Sequence, residues 1–275
     1  MSMSAFFFCL MTVFVKIASD ELETMQIVLV RGILTFLFTL AIIKKKRVYL
    51  WGRNHKVLIL RGLTGSVALF FVYESIQRFS LSEATSIQYL YPIFTSIFAF
   101  FIVSENLSKK IFYSILIGFS GVYVVLDFPF IDNNSNINML SLLIALLGSL
   151  LTALAYVLVR LASKKGESPY IIMFYFPLFT VPLSLPFAYY NWNSPGLEGW
   201  FILFMVGICT QLGQTFLTFG YKLLPASNAA LTSYIQVPFS ALFGYMVFFE
   251  EISFNFILGS ILIFISINLI LRNKG

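Results

Sequence analysis

The sequence predicts an all-α polytopic membrane protein, with ten transmembrane helices arranged as an inverted 5+5 repeat. Three observations carry this: an apolar surplus, ten apolar runs of spanning length, and a register that lays the second half of the chain on the first. Of the 275 residues, 59% are hydrophobic, only 11% are charged and 32 are Phe. A soluble domain holds about 45–50% apolar and roughly 25% charged residues, so the bilayer is the expected solvent. The net charge of +6 does not imply a nucleic-acid partner, because the basic residues fall in short loops between apolar runs.

A spanning helix needs about 20 mostly apolar residues. Such runs cover residues 3–18, 25–43, 57–77, 83–103 and 111–128, then 138–161, 170–190, 199–221, 227–249 and 252–271. The first is short and runs into Lys16 and Asp20 without a small-residue cleavage site, so it reads as a retained helix and not as a signal peptide. The second carries Arg31 inside its apolar stretch. The third sets Gly62, Gly65, Ser66 and Ala68 along a close-packing face and places Glu74 near its outer end. The fourth is interrupted near its centre by Gln88-Tyr89-Leu90-Tyr91-Pro92, and the fifth has a second small-residue face at Gly118 and Gly121. The polar link Asp132-Asn133-Asn134-Ser135-Asn136 then divides the chain into units of residues 1–130 and 138–275. In the second unit, Tyr156 and Arg160 lie in the sixth run, Tyr175 in the seventh and Gln211 and Gln214 in the eighth. The ninth carries Tyr234, Gln236 and Pro238.

Loop charge fixes the expected orientation. Lys44, Lys45, Lys46, Arg47, Arg53 and Lys56 follow the second run; Lys109 and Lys110, Lys164 and Lys165, and Lys222 follow the fourth, sixth and eighth. Cationic loops stay in the cytoplasm, so both termini are expected there, in a bacterial inner membrane. The 146 residues between Pro92 and Pro238 also separate Glu105 from Glu251 and Ser114-Ile115-Leu116-Ile117 from Ser260-Ile261-Leu262-Ile263. Val15-Lys16-Ile17-Ala18-Ser19 likewise resembles Val159-Arg160-Leu161-Ala162-Ser163. Five crossings per unit is odd, so the second unit would enter the membrane from the opposite side, as in many secondary transporters.

Several stretches together resemble the EamA-type drug/metabolite transporter superfamily, including its solute-carrier-35-like branch. They are Arg61-Gly62-Leu63-Thr64-Gly65, Phe70-Phe71-Val72-Tyr73, Leu81-Ser82-Glu83-Ala84-Thr85, Tyr91-Pro92-Ile93-Phe94 and Glu105, with Lys16, Val30-Arg31-Gly32 and Gly213-Gln214. The resemblance spans the whole chain as two units. It implies a ten-helix inverted repeat around a central cavity, and export or exchange of small metabolites or drugs.

Candidate residues follow from what a bilayer penalises. Pro92 and Pro238 sit near mid-helix, where a proline frees a carbonyl that protein or a wet cavity must cover, so they read as paired hinges. Glu74 is the carboxylate well inside an apolar run, open to a substrate or proton role, to pairing with Arg31, or to a local pair with Arg78 at i+4. Lys16 is open to facing inward or to pairing with Asp20, and Arg160 has the reach to snorkel to the cytoplasmic interface. Gln88, Tyr91, Tyr156, Gln214, Tyr234 and Gln236 are the expected substrate-binding groups, polar or stacking side chains at membrane depth.

These features select among function classes. No HExxH spacing, Ser/His pairing or metal-ligand cluster supports an intramembrane enzyme, and no GxxxxGK[ST] loop supports direct ATP drive. No cofactor, metal or disulfide framework is expected, since Cys9 and Cys209 lie inside apolar runs. The expected partners are a small-molecule substrate, membrane lipids and protons as a coupling ion. The expected activity is alternating-access transport of a small polar metabolite, a zwitterion such as an amino acid, nucleoside or S-adenosylmethionine. Proton-coupled efflux of amphipathic cations is the alternative, disfavoured by Lys16 and Arg31.

Overall fold

A computed structural model describes residues 1–78, 87–106, 108–125, 128, 138–249 and 254–271. Its helices are α1 Ser2–Ala18, α2 Thr24–Lys46, α3 His55–Arg78, α4 Tyr91–Val103, α5 Lys109–Val125, α6 Met139–Lys164, α7 Pro169–Tyr190 and α8 Leu197–Leu223. Then come α9 Ala226–Thr232, a 3-10 turn at Ser233–Ile235, α10 Gln236–Phe248 and α11 Phe254–Leu271. With α9, the turn and α10 taken as one broken rod, these make ten rods. Among the described residues, six helices are long and apolar enough to cross a membrane. Large apolar side chains such as Phe101, Tyr190 and Leu197 stand 74%, 86% and 93% exposed, as lipid-facing residues would. The polar link 132–136, the stretch Leu81-Ser82-Glu83-Ala84-Thr85 and Glu251 of the repeat register lie outside the described residues.

The rods pair in a pattern that reads the same from either half. α1 packs on α8 as α3 packs on α6; α4 meets α6 as α10 meets α1; α3 meets α7 as α2 meets α8. α2–α7 and α5–α11 pair with their own counterparts. Small residues allow these approaches. A Cβ on Gly121 would fall 2.7 Å from the Gly259 carbonyl oxygen, and one on Gly62 would fall 2.5 Å from the Tyr175 carbonyl oxygen. Ser66 bonds the Thr180 hydroxyl at 2.8 Å on the same α3–α7 face. Both small-residue faces expected from the sequence are therefore helix contacts.

The fourth and ninth rods differ from the continuous, proline-kinked helices that the sequence suggests. Residues 87–88 are helical, Tyr89 and Leu90 form a turn, and α4 begins anew at Tyr91. Pro92 thus occupies the second position of a fresh helix, and Pro238 the third position of α10. A first-turn proline forfeits no internal hydrogen bond, because those N–H groups have no helical partner anyway. The α-helical hydrogen-bond ladder of each rod is thus interrupted just ahead of its proline. α4 and α10 each have 13 residues and end in a left-handed residue, Ser104 and Phe249, both at φ 56°. These ends are 145 residues apart while the prolines are 146 apart, so the prolines sit one position out of step.

Candidate functional site

The two breaks meet. A proline at position 92 cannot bond the carbonyl of Gln88 four residues back; that oxygen instead accepts from the Ser149 hydroxyl of α6 at 3.1 Å. The neighbouring Tyr89 carbonyl accepts from the Tyr234 hydroxyl, in the 3-10 turn, at 3.2 Å. Tyr91 and Ser233 bond through their hydroxyls, and the Gln88 amide donates to Thr152 at 3.2 Å. Groups from the other half therefore cover the polar backbone freed at the first break, as membrane depth requires.

Around this junction runs a chain of tyrosine rings. Tyr234 lies 5.9 Å from Tyr89, Tyr89 6.2 Å from Tyr91, Tyr91 5.4 Å from Tyr156, and Tyr156 5.3 Å from Tyr221. Beside it is a small cavity of about 20 Å³, room for about one water, lined by Tyr91, Tyr156, Tyr221, Ser233, Gln236 and the first residues of α1. Gly118 makes this possible on α5, since a Cβ there would fall 2.7 Å from the Tyr234 ring. Tyr91, Tyr156, Tyr234 and Gln236 thus come together, with Gln88 at the edge. Gln214, half-buried on α8, is not among the residues lining the cavity.

The charged candidates are placed elsewhere. Glu74 pairs with Arg78 at 2.5 Å, its side chain 40% exposed, so the local i+4 alternative is the one observed. Arg31 is 7% exposed and contacts the Met11 sulfur at 3.7 Å; it does not meet Glu74. Lys16 lies 4.0 Å over the Phe248 ring, at the end of α10. Arg160 does not snorkel. Its Nε donates to Glu105 at 2.7 Å and its Nη1 to the Tyr221 and Lys222 carbonyls that end α8. Glu105 also accepts from the first backbone N–H of α9, Ala226, at 2.6 Å, and Lys164 stands 3.9 Å away. This clamp joins α4, α6, α8 and α9 beside a cavity of about 330 Å³ lined by Glu105, Asn106, Ile111, Arg160, Lys164, Pro225 and Asn228.

Two functional candidates escaped the sequence reading. Glu105 served only as a repeat marker and as part of the family resemblance, not as a candidate site residue. Arg61, 2% exposed on α3, has Nε and Nη1 without hydrogen-bond partners and its guanidinium 5.0 Å from the Phe176 ring. The signal for it was Gly62 and Gly65 beside it: a cation on the close-packing face points inward.

Comparison with known proteins agrees with this architecture. A solved crystal structure superposes with a TM-score of 0.81 over 100% of this chain and 99% of that one, at 16% identity, which establishes the fold alone. The pseudopaline exporter CntI of Pseudomonas aeruginosa is 25% identical over 99% of this chain and 94% of its own length. Human solute carrier family 35 member G1 is 25% identical over 97% of this chain and 76% of its own. The S-adenosylmethionine uptake transporter of Rickettsia prowazekii is 28% identical over 75% and 68%. The EamA-like transporter family matches residues 1–127 and again 139–272, and the chain belongs to that family, an integral membrane transporter of small metabolites and not an enzyme.

Proposed function

We propose that the protein is a secondary transporter, an exporter or exchanger, of a small zwitterionic metabolite, working by alternating access between two inverted units of residues 1–130 and 138–275. The meeting of two broken rods in a tyrosine-lined, hydroxyl-rich centre is the observation that carries this reading. Broken helices at membrane midplane are how many transporters build a substrate site. The exchange-related packing and the two separate family matches support the repeat. Tyr91, Tyr156, Tyr234 and Gln236 form the wall, with Gln88 and Gln214 reached as the rods separate; the breaks containing Pro92 and Pro238 are the hinges. Planar tyrosine faces suit stacking on an amino-acid or nucleoside ring. The positive loops support a cytoplasmic side for both termini, in what we read as a bacterial inner membrane.

The test is uptake and counterflow in proteoliposomes with labelled amino acids, nucleosides and S-adenosylmethionine. The expected result is saturable flux for one class, accelerated by the same compound on the opposite side. Tyr156→Ala should cut that flux at least about tenfold while Tyr156→Phe largely keeps it, because stacking belongs to the ring. Absence of saturable flux and of counterflow for every class would overturn the reading.

A further inference from the structure

We propose that Arg61 binds an anionic group of the transported molecule, a carboxylate or phosphate, at the Tyr156–Tyr221 end of the tyrosine chain. The proposal rests on the transport reading above and adds to it the protein group that meets the substrate's anionic part.

Arg61 lies about 9 Å into α3 from its first residue, counted at 1.5 Å per residue. At that depth a charge is expensive unless something answers it. Among the described residues no carboxylate pairs with it: Glu74 is taken by Arg78, and Glu105 by Arg160 and Lys164. Nε and Nη1 are buried with no hydrogen-bond partner. The Phe176 ring under the guanidinium returns only part of the lost hydration.

The surroundings are built to admit this guanidinium. A Cβ on Gly65 would fall 2.1 Å from Nη1, so the guanidinium lies in the space that glycine leaves one turn along α3. The Tyr156 and Tyr221 hydroxyls are within electrostatic reach of it, and the Tyr221 hydroxyl is itself buried with no partner. Both tyrosines also line the cavity at the junction of the breaks. Arg31, a second buried cation without a carboxylate partner, is within electrostatic reach of Tyr156 as well. The set is rich in donors and, among the described residues, holds no anionic acceptor. A planar guanidinium fork matches the paired oxygens of a carboxylate or phosphate, and a phenol supplies a further O–H. An anionic group entering between Arg61 and Tyr221 would satisfy three donors at once.

The deciding experiment is flux in proteoliposomes with matched compounds. Amino acids would be compared with their methyl esters and with the amines lacking the carboxylate; nucleoside monophosphates would be compared with nucleosides. The expected result is saturable flux for the members bearing the anion, with KM about ten- to a hundredfold higher when the anion is removed. The carboxylate and phosphate arms identify which anion it is. Arg61→Gln should erase the preference between acid and ester, and Arg61→Lys should keep part of it. Saturable flux indifferent to the anion, or a preference intact in Arg61→Gln, would overturn the proposal and leave the transport reading standing. Absence of flux for all compounds would instead remove the transport reading and this proposal with it. If Arg61→Gln does not give a monodisperse protein, the acid-versus-ester comparison in the unmodified protein decides.

Discussion

Glu167 sits in the turn between α6 and α7 and gathers three donors on one oxygen. The backbone N–H groups of Arg53 and Asn54 donate at 2.8 and 2.5 Å and the Asn54 side chain at 2.7 Å. Gly52, at φ +69°, keeps the approach open, since a Cβ there would fall 2.8 Å from the other carboxylate oxygen. Burial works against the charged form of Glu167. The Asn54 and Arg53 hydrogen bonds and the Arg53 charge outweigh it, and hold the carboxyl below its usual value near 4.5. A folded pKa below the unfolded one means the stabilisation is full above about pH 4.5 and is lost as pH falls through the folded value. Glu167→Gln should therefore destabilise the protein by about 1–3 kcal/mol at pH 7, because three hydrogen bonds lose a charged acceptor. Thermal unfolding in detergent at pH 7 and pH 3.5 measures this: the gap between variant and parent should narrow at the lower pH. An equal gap at both values would show that the charge of Glu167 contributes nothing.

At the scale of the element, the two breaks decide what the prolines do. If Pro92 kinked a continuous helix, replacing it would restore a hydrogen bond and stiffen the rod. In a first-turn position it withholds an N–H that no helical carbonyl awaits. Pro92→Ala should then change stability by less than about 1 kcal/mol. Ser149→Ala should cost more, about 0.6–1.7 kcal/mol, because it strips the Gln88 carbonyl of the hydroxyl that covers it. Thermal unfolding of both variants, with hydrogen exchange at residues 88–94, checks the order; a stabilised, more protected Pro92→Ala rod would restore the kinked-helix picture. Sequence placed these elements well, because a bilayer fixes the length and polarity of each span independently of its neighbours. The two prolines were legible as a pair, but not their place in the first turn of a new helix, one position out of step with each other. What covers Gln88 and Tyr89 was not: Ser149 and Tyr234 come from the other half, 61 and 145 residues away. Arg61 stayed hidden for the same reason, since a buried cation is recognised by the partners it lacks. Glu74 was readable both ways, and its i+4 neighbour Arg78 won.

Across the whole molecule, the halves pack along the α3–α6, α5–α11, α1–α8 and α2–α7 pairs, and the Glu105 clamp adds a charged tie between α4, α6, α8 and α9. The clamp holds only as long as α4 stays against α6, α8 and α9, and in the proposed orientation that end of the bundle faces the cytoplasm. Glu105 is 11% exposed and Arg160 14%, so separating them leaves two poorly hydrated charges, at a cost of about 3–5 kcal/mol if nothing replaces the pair. A contact of that size can hold one conformation without making the other inaccessible. The proposed alternating-access cycle requires this end to open once per turn, which a covalent tie forbids. With Cys9→Ala and Cys209→Ala removing the native thiols, Glu105→Cys and Arg160→Cys would be joined by a short thiol-specific crosslinker. The untied double variant should transport, the tied protein should lose at least about 90% of counterflow, and reductive release should restore it. Binding from the opposite face should survive the tie, which separates a locked transporter from a misfolded one. Undiminished counterflow in the tied protein would show that the path across the membrane does not pass between Glu105 and Arg160, and that the rods move about some other contact.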